Sequence, residues 1–124
     1  MVRIRRKYLD DIIRTIGTED IKVITGVRRS GKSFLLDDFK KYVIENIKEA
    51  NIISFDLSSL KYEELREYHA LNDYVEKHYV NNKRNFLFVD EVQMCKGFEL
   101  ALNSLHASRK YDIYITGSNA FLAG

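Results

Sequence analysis

The segment from Gly26 to Ser33 has the residue types and the spacing to bind a chain of phosphates. A glycine is followed by four variable positions and then by Gly31, Lys32 and Ser33. The glycines let the backbone turn its N–H groups towards an anion, Lys32 brings a positive charge to the outer phosphates, and the Ser33 hydroxyl can ligate magnesium. The pattern therefore predicts a phosphate-binding P-loop, or Walker A motif.

An ordinary glycine-containing turn between a strand and a helix is the alternative for this segment. β-branched residues between Ile21 and Ile24 precede it, and apolar residues follow it at helical spacing, which is the context that a P-loop needs. The positive amino-terminal end of the helix would add to the anion site. Arg28 and Arg29 either contact phosphate or a neighbouring subunit, or they face solvent or pair with acids. The residues expected around the phosphates are Gly26, Val27, Arg28, Arg29, Ser30, Gly31, Lys32, Ser33 and Phe34.

Two acids, Asp90 and Glu91, end the apolar run from Phe86 to Val89. An apolar strand that ends in an acid has the Walker B arrangement, in which the carboxylate supports magnesium. We therefore assign the metal to Ser33 and Asp90, and the activation of an attacking water to Glu91. The alternative for Asp90 is a helix N-cap. A second, water-orienting acid favours a nucleoside-triphosphate hydrolase over a small-molecule kinase.

A strand that ends in small polar residues, from Thr116 to Asn119, is the third element. It resembles the strand of additional-strand P-loop ATPases that carries a polar sensor of the γ-phosphate or the attacking water. Asn119 is the first choice for this sensor, with Ser118 and Thr116 behind it, and a simple turn is the alternative. Gln93 either helps to place the loop after Glu91 or makes a simple turn contact.

Together, the segments Ile24 to Ser33, Leu87 to Gln93 and Ile115 to Asn119 resemble the prokaryotic AAA+-type ATP-binding proteins, many of which carry an uncharacterised carboxy-terminal domain. The resemblance implies ATP and Mg²⁺ as cofactors, and Lys32, Glu91 and Asn119 as catalytic residues. Two departures stand out. Val27 occupies a position where the family often has proline, and the chain stops at Gly124, before the further strand, helical lid and arginine finger that the resemblance implies.

Alternating strands and helices predict an α/β fold with a parallel sheet. The resemblance implies that this fold is a three-layer P-loop NTPase core with the strand order 2-3-4-1, lacking the fifth strand and the helical lid. One domain would cover residues 1–124. The predicted strands are Ile21 to Thr25, Ile52 to Leu57, Asn85 to Val89 and Ile113 to Thr116. The predicted helices lie within residues 6–17 (Tyr8 to Ile16), from Lys32 to Lys48, from Leu60 to Val80 in one piece, and from Phe98 to Ser108.

Composition narrows the function classes. The net charge of +2 gives no electrostatic case for strong nucleic-acid binding. Cys95 is the only cysteine, which excludes an intrachain disulfide and a cysteine-based metal site. No apolar run approaches the roughly 20 residues of a membrane helix, so we expect a cytoplasmic protein with no membrane partner.

The function expected from these residues is ATP binding and Mg²⁺-dependent ATP hydrolysis. Hydrolysis should be slow in this chain, because it stops before the arginine finger that the resemblance implies, and such a residue can be worth about 10³–10⁵ in rate. The alternatives are a nucleotide-gated switch that controls a partner and, less favoured, a small-molecule kinase. We expect ATP and an unknown protein or nucleic-acid client as partners, and self-association through the exposed edge of strand one.

Overall fold

The structure, a computed structural model, describes residues 9–24 and 29–117, with residues 29–34 described by their backbone alone. The P-loop residues before Arg29 and the favoured sensor Asn119 lie outside the described residues, as does Ser118. The predicted roles of the Lys32 and Ser33 side chains therefore also fall outside the description.

Helices and strands alternate along the described chain. In order they are helix α1 (residues 9–13), strand β1 (Lys22–Ile24), helix α2 (Arg29–Asn46), strand β2 (Ala50–Asp56), helix α3 (Tyr68–His78), strand β3 (Arg84–Asp90), helix α4 (Phe98–Ala107) and strand β4 (Tyr111–Thr116). Short 3-10 helices, Leu60–Leu65 and Val92–Met94, follow β2 and β3. In the part of the chain described, no helix is both long enough and apolar enough to cross a membrane.

The strands of the described residues form one parallel sheet in the order β2-β3-β4-β1. This arrangement confirms the predicted α/β fold and the predicted strand order. The central strand β3 has an unbroken apolar run from Phe86 to Val89 in which every side chain is fully buried. Such a run is expected where helices cover both faces of a parallel sheet.

Two apolar cores form because successive side chains of a strand point to opposite faces of the sheet. Phe86 and Phe88 pack on one face with α2, where the Phe39 ring lies 5.8 Å from that of Phe88. Leu87 and Val89 pack on the other face with α3 and α4. The sheet is thus the middle of three layers, and both cores hold β3 rigidly up to its last residue.

The prediction of a single long helix after β2 is wrong. A 3-10 helix, Leu60–Leu65, ends before α3 begins, and Leu60 is 74% exposed instead of lying on an apolar face. The break has two causes. The backbone carbonyl of Arg66 accepts a hydrogen bond of 2.8 Å from the Lys96 N–H, and the Glu67 carboxylate caps α3.

Helix α2 begins at Arg29, three residues before the predicted start at Lys32, and ends at Asn46, two residues before the predicted end. The first turn contains neither proline nor a β-branched residue, so Gly31 is the residue that most lowers its helix propensity. At the other end, Glu49 adopts a left-handed conformation (φ 64°), which stops the helix. The unpaired N–H groups of the first helical turn now belong to residues 29–32.

Helix α1 is shorter than the predicted span of residues 6–17. The described helix covers residues 9–13, and its last turns are tightened by hydrogen bonds such as that from the Ile16 N–H to the Ile13 carbonyl, 3.2 Å. Gly17 has a φ of 87°, which confirms its predicted position at the end of this segment. Residues 6–8 of the prediction lie outside the described chain.

Candidate functional site

The carboxyl ends of β1, β4 and β3 meet at one edge of the sheet. Ile24, the last residue of β1, is in register with Thr116, the last residue of β4. Asp90 ends β3, the next strand along. Two inter-strand spacings separate the end of β1 from the end of β3, about 10 Å. The predicted P-loop leaves β1 at this same edge, and α2 begins there at Arg29.

One buried hydroxyl joins the two acids at this edge. The Thr116 hydroxyl donates a hydrogen bond to the Asp90 carboxylate and accepts one from the Glu91 N–H, 3.0 Å. Thr116 is fully buried, so the hydroxyl has no contact with bulk water. Sequence reasoning placed Thr116 behind Asn119 as a sensor candidate, because polarity alone does not reveal which side chain faces the neighbouring strand. Of the three candidates, Thr116 is the one among the described residues, and its hydroxyl contacts Asp90.

Asp90 does not act as the N-cap that was its alternative assignment. The 3-10 helix Val92–Met94 has Glu91 at its N-cap position, and the Glu91 side chain makes no capping hydrogen bond there. The Asp90 carboxylate instead contacts Thr116. The backbone carbonyl of Asp90 accepts a hydrogen bond of 3.0 Å from the Leu57 N–H. The carboxylate is therefore half-buried at the end of a rigid strand, not turned back into a helix.

Glu91 adopts a left-handed backbone conformation, with φ 54° and ψ 53°. Non-glycine residues adopt this conformation rarely, and they do so more often at functional sites. Its half-buried carboxylate accepts a hydrogen bond of 2.9 Å from the Gln93 side-chain amide. Of the two interpretations left open for Gln93, the structure shows a side-chain contact to Glu91.

Sequence reasoning missed Asp56, a third carboxylate at the same edge. Asp56 ends β2 and is in register with Asp90, just as Asp90 ends β3. Its carboxylate accepts hydrogen bonds from the backbone N–H and the hydroxyl of Ser58, at 2.9 and 2.7 Å. These bonds build the turn that follows β2, so Asp56 has a structural role here.

Comparison with known proteins gives the family. A model of the AAA domain matches residues 18–124. The chain belongs to the AAA domain family. This membership supports an ATPase-like, nucleotide-binding character, and it agrees with the resemblance seen in the motifs.

The AAA domain described here has relatives in bacteria and archaea. An uncharacterised protein of Haemophilus influenzae is 35% identical over 120 residues, which cover 95% of this chain and 30% of the relative. An uncharacterised protein of Methanocaldococcus jannaschii is 27% identical over 104 residues, which cover 82% of this chain and 22% of the relative. The chain thus spans less than a third of the length of these relatives. No solved structure matches it significantly.

The donors at the carboxyl edge of the AAA domain suit magnesium. Within residues 9–24 and 29–117, no group of three or more His, Cys, Asp or Glu side chains could hold a metal ion on its own. The edge instead offers the half-buried Asp90 carboxylate, a hard oxygen donor that the Thr116 hydroxyl holds in place. Magnesium is commonly bound through one or two carboxylates together with phosphate oxygens and water. A single carboxylate at this edge therefore fits a magnesium ion whose other ligands are phosphate oxygens and water.

A cavity of about 300 Å³ lies at the opposite, amino-terminal edge of the sheet, and its lining includes Arg84 and Asp112 at the starts of β3 and β4. Asp112 pairs with Lys22 at 3.4 Å and with Arg84 at 3.5 Å, and Arg109 pairs with Glu19 at 2.6 Å. Both acids of the lining are thus held by cations. Since the cavity is one strand length from Asp90, it is separate from the candidate site.

Proposed function

We propose that this AAA domain binds ATP and hydrolyses it in a magnesium-dependent reaction. The proposal depends on one observation above all. Asp90 and Glu91 are held by a single buried hydroxyl, that of Thr116, at the sheet edge where β1 leads into the P-loop. A phosphate chain held by the loop and the first turn of α2 would extend towards these two acids.

Each residue has a role that follows from its chemistry. Lys32 and the P-loop amides hold the phosphates, and Ser33 and Asp90 provide oxygen ligands for the metal. When bound, Mg²⁺ neutralises charge on the transferred phosphoryl group. Glu91 accepts a hydrogen bond from the attacking water and takes its proton, while Asn119 donates to the γ-phosphate.

The paired acids also support hydrolysis over the two alternatives. Asp90 is tied to Thr116, which leaves Glu91 as the acid with a different hydrogen-bond partner and a separate task. A kinase has no need of a residue that deprotonates water. A nucleotide-gated switch needs binding but only incidental turnover, so Glu91 would contribute little to its function.

Replacing Glu91 by glutamine tests the proposal directly. Glu91→Gln keeps the size of the side chain and removes the base, so ATP binding is expected to remain while hydrolysis is nearly lost. Glu45→Gln, on the exposed surface of α2, is the matched control and should hydrolyse ATP like the wild type. Phosphate release under excess Mg·ATP measures turnover. Wild-type turnover in Glu91→Gln, or transfer of phosphate to an acceptor other than water, would contradict the proposal.

We further propose that the whole protein uses the ATPase cycle on an unidentified protein or nucleic-acid client, and that β1 mediates self-association. β1 is the terminal strand of the sheet formed by the described residues, and Val23 on it is 45% exposed. Terminal strands present backbone groups to which a further strand can pair. Lysine at position 23 should oppose such pairing, so Val23→Lys is expected to lower the apparent mass in analytical ultracentrifugation. An unchanged mass distribution would contradict the role of β1.

A further inference from the structure

We infer that Gln93 is a positioning residue that holds the Glu91 carboxylate in place for its reaction with water. The inference rests on the proposed hydrolysis. The Gln93 amide nitrogen lies 2.9 Å from the Glu91 carboxylate oxygen Oε1. A carboxylate oxygen only accepts hydrogen bonds, so the amide must present its NH₂ group to Glu91 and direct its own oxygen elsewhere.

The backbone between the two residues brings their side chains together. Glu91 is left-handed, and the next residues form a 3-10 turn in which the Met94 N–H donates to the Glu91 carbonyl at 3.0 Å. Val92 and Cys95 anchor this turn, because both side chains are buried in the core beneath α3 and α4. Gln93 therefore projects from a turn that is fixed at both ends.

A simple stabilising contact does not explain Gln93 well. Its amide oxygen Oε1 is buried and has no hydrogen-bond partner among the described residues. Burying an unsatisfied carbonyl oxygen is unfavourable, so an apolar side chain of similar size would suit the same space better for stability alone. What distinguishes Gln93 is its partner, because its NH₂ group donates to the carboxylate that is assigned to the attacking water.

Fixing the base matters for hydrolysis because small displacements have large effects on rate. A misplacement of about 1 Å at a reacting group can cost about 10²-fold in rate. The amide restricts the rotamers that the half-buried Glu91 carboxylate can adopt. We therefore expect loss of Gln93 to reduce kcat and to leave KM for ATP unchanged, since Gln93 is not placed against the nucleotide.

Asn72 provides a matched control elsewhere in the chain. Its side-chain amide also donates to a carboxylate, that of Glu76 at 3.2 Å, and its amide oxygen is likewise buried without a partner among the described residues. The pair lies on α3, away from the candidate site. Asn72→Leu and Gln93→Leu thus remove the same chemistry, once outside the site and once inside it.

The test measures kcat, KM and melting temperature for the 124-residue chain and its variants. Gln93→Leu is expected to melt at or above the wild-type temperature and to lose about 10- to 10²-fold in kcat at constant KM. Asn72→Leu should keep its kcat. Combining Gln93→Leu with Glu91→Gln should reduce turnover no further than Glu91→Gln alone, because Gln93 acts through Glu91.

Two results would overturn the inference, and a third would overturn the proposed hydrolysis instead. Wild-type kcat in Gln93→Leu, while Glu91→Gln is inactive, would show that Glu91 needs no support from Gln93. A lower melting temperature with unchanged kcat would show a structural contact only. By contrast, wild-type turnover in Glu91→Gln would show that Glu91 is not the base, and it would contradict the proposed reaction.

Discussion

Removing the Thr116 hydroxyl should damage both the stability and the activity of the domain. Thr116→Val keeps the shape of the side chain but removes a bond to the Asp90 carboxylate and a bond from the Glu91 N–H. A hydrogen bond to a charged group contributes about 1.5–3 kcal/mol and a neutral one about 0.5–1.5 kcal/mol. The added methyl group returns about 0.8 kcal/mol, because position 116 is fully buried. We therefore expect a net loss of about 1–4 kcal/mol in the free energy of unfolding.

This loss is large enough to measure by thermal unfolding followed by circular dichroism. With an unfolding entropy of about 2.1 cal/mol/K per residue, a chain of this length should melt about 5–14 °C lower in the variant. Thr18→Val is the matched control, since its hydroxyl bonds to the Thr15 carbonyl on the exposed surface, and its melting temperature should hardly change. ATP turnover should also fall in Thr116→Val, because both acids lose a common support. Equal melting temperatures for Thr116→Val and the wild type would refute the claim that this hydroxyl stabilises the domain by bridging Asp90 and Glu91.

Three further predictions concern other parts of the fold. The backbone N–H of His69 holds the pKa of Glu67 below its usual value, so the carboxylate stabilises α3 above the ordinary glutamate pKa and ceases to do so as the pH falls through its lowered one. The difference in melting temperature between wild type and Glu67→Gln should therefore be largest at pH 7 and should shrink in acid. A difference that does not change with pH would refute the stabilisation of α3 by the charged carboxylate. Gly97→Ala should lower the free energy of unfolding by about 1–2 kcal/mol because of its left-handed backbone, and by more because the new Cβ would lie 2.7 Å from a tyrosine ring of α3. Gly17→Ala should show the backbone effect alone. Equal losses for the two variants in urea unfolding would contradict this prediction. Burial raises the pKa of the Cys95 thiol to about 11, so a thiol reagent at pH 8 should modify it only in unfolded protein, and rapid labelling of the native chain would argue against its burial.

The architecture was predictable from the sequence because its signals are local. The run from Phe86 to Val89 is too short for a buried helix and too apolar for a surface strand, so it indicated a strand covered on both faces. The helix from Phe98 agreed with α4 to within one residue. The strand order was implied by the family resemblance, and the observed order β2-β3-β4-β1 confirms it.

The features that sequence reasoning missed depend on distant contacts. The break before α3 requires the Arg66 carbonyl to meet the Lys96 N–H, and no local pattern reports a contact across 30 residues of chain. Thr116 was ranked behind Asn119, because its importance depends on the alignment of β4 with β3. The bond between Gln93 and Glu91 depends on a left-handed residue that is not a glycine, which sequence propensities do not favour.

Calorimetric titration with Mg·ATP tests the central claim most directly. The wild-type chain should bind one ATP, and Lys32→Ala should bind at least about 10-fold more weakly, a loss of about 1.4 kcal/mol, because it lacks the cation assigned to the outer phosphates. Lys41→Ala, on the exposed surface of α2, should bind like the wild type. Equal affinities for the wild type and Lys32→Ala would contradict the assignment of Gly26 to Ser33 as the ATP-binding loop.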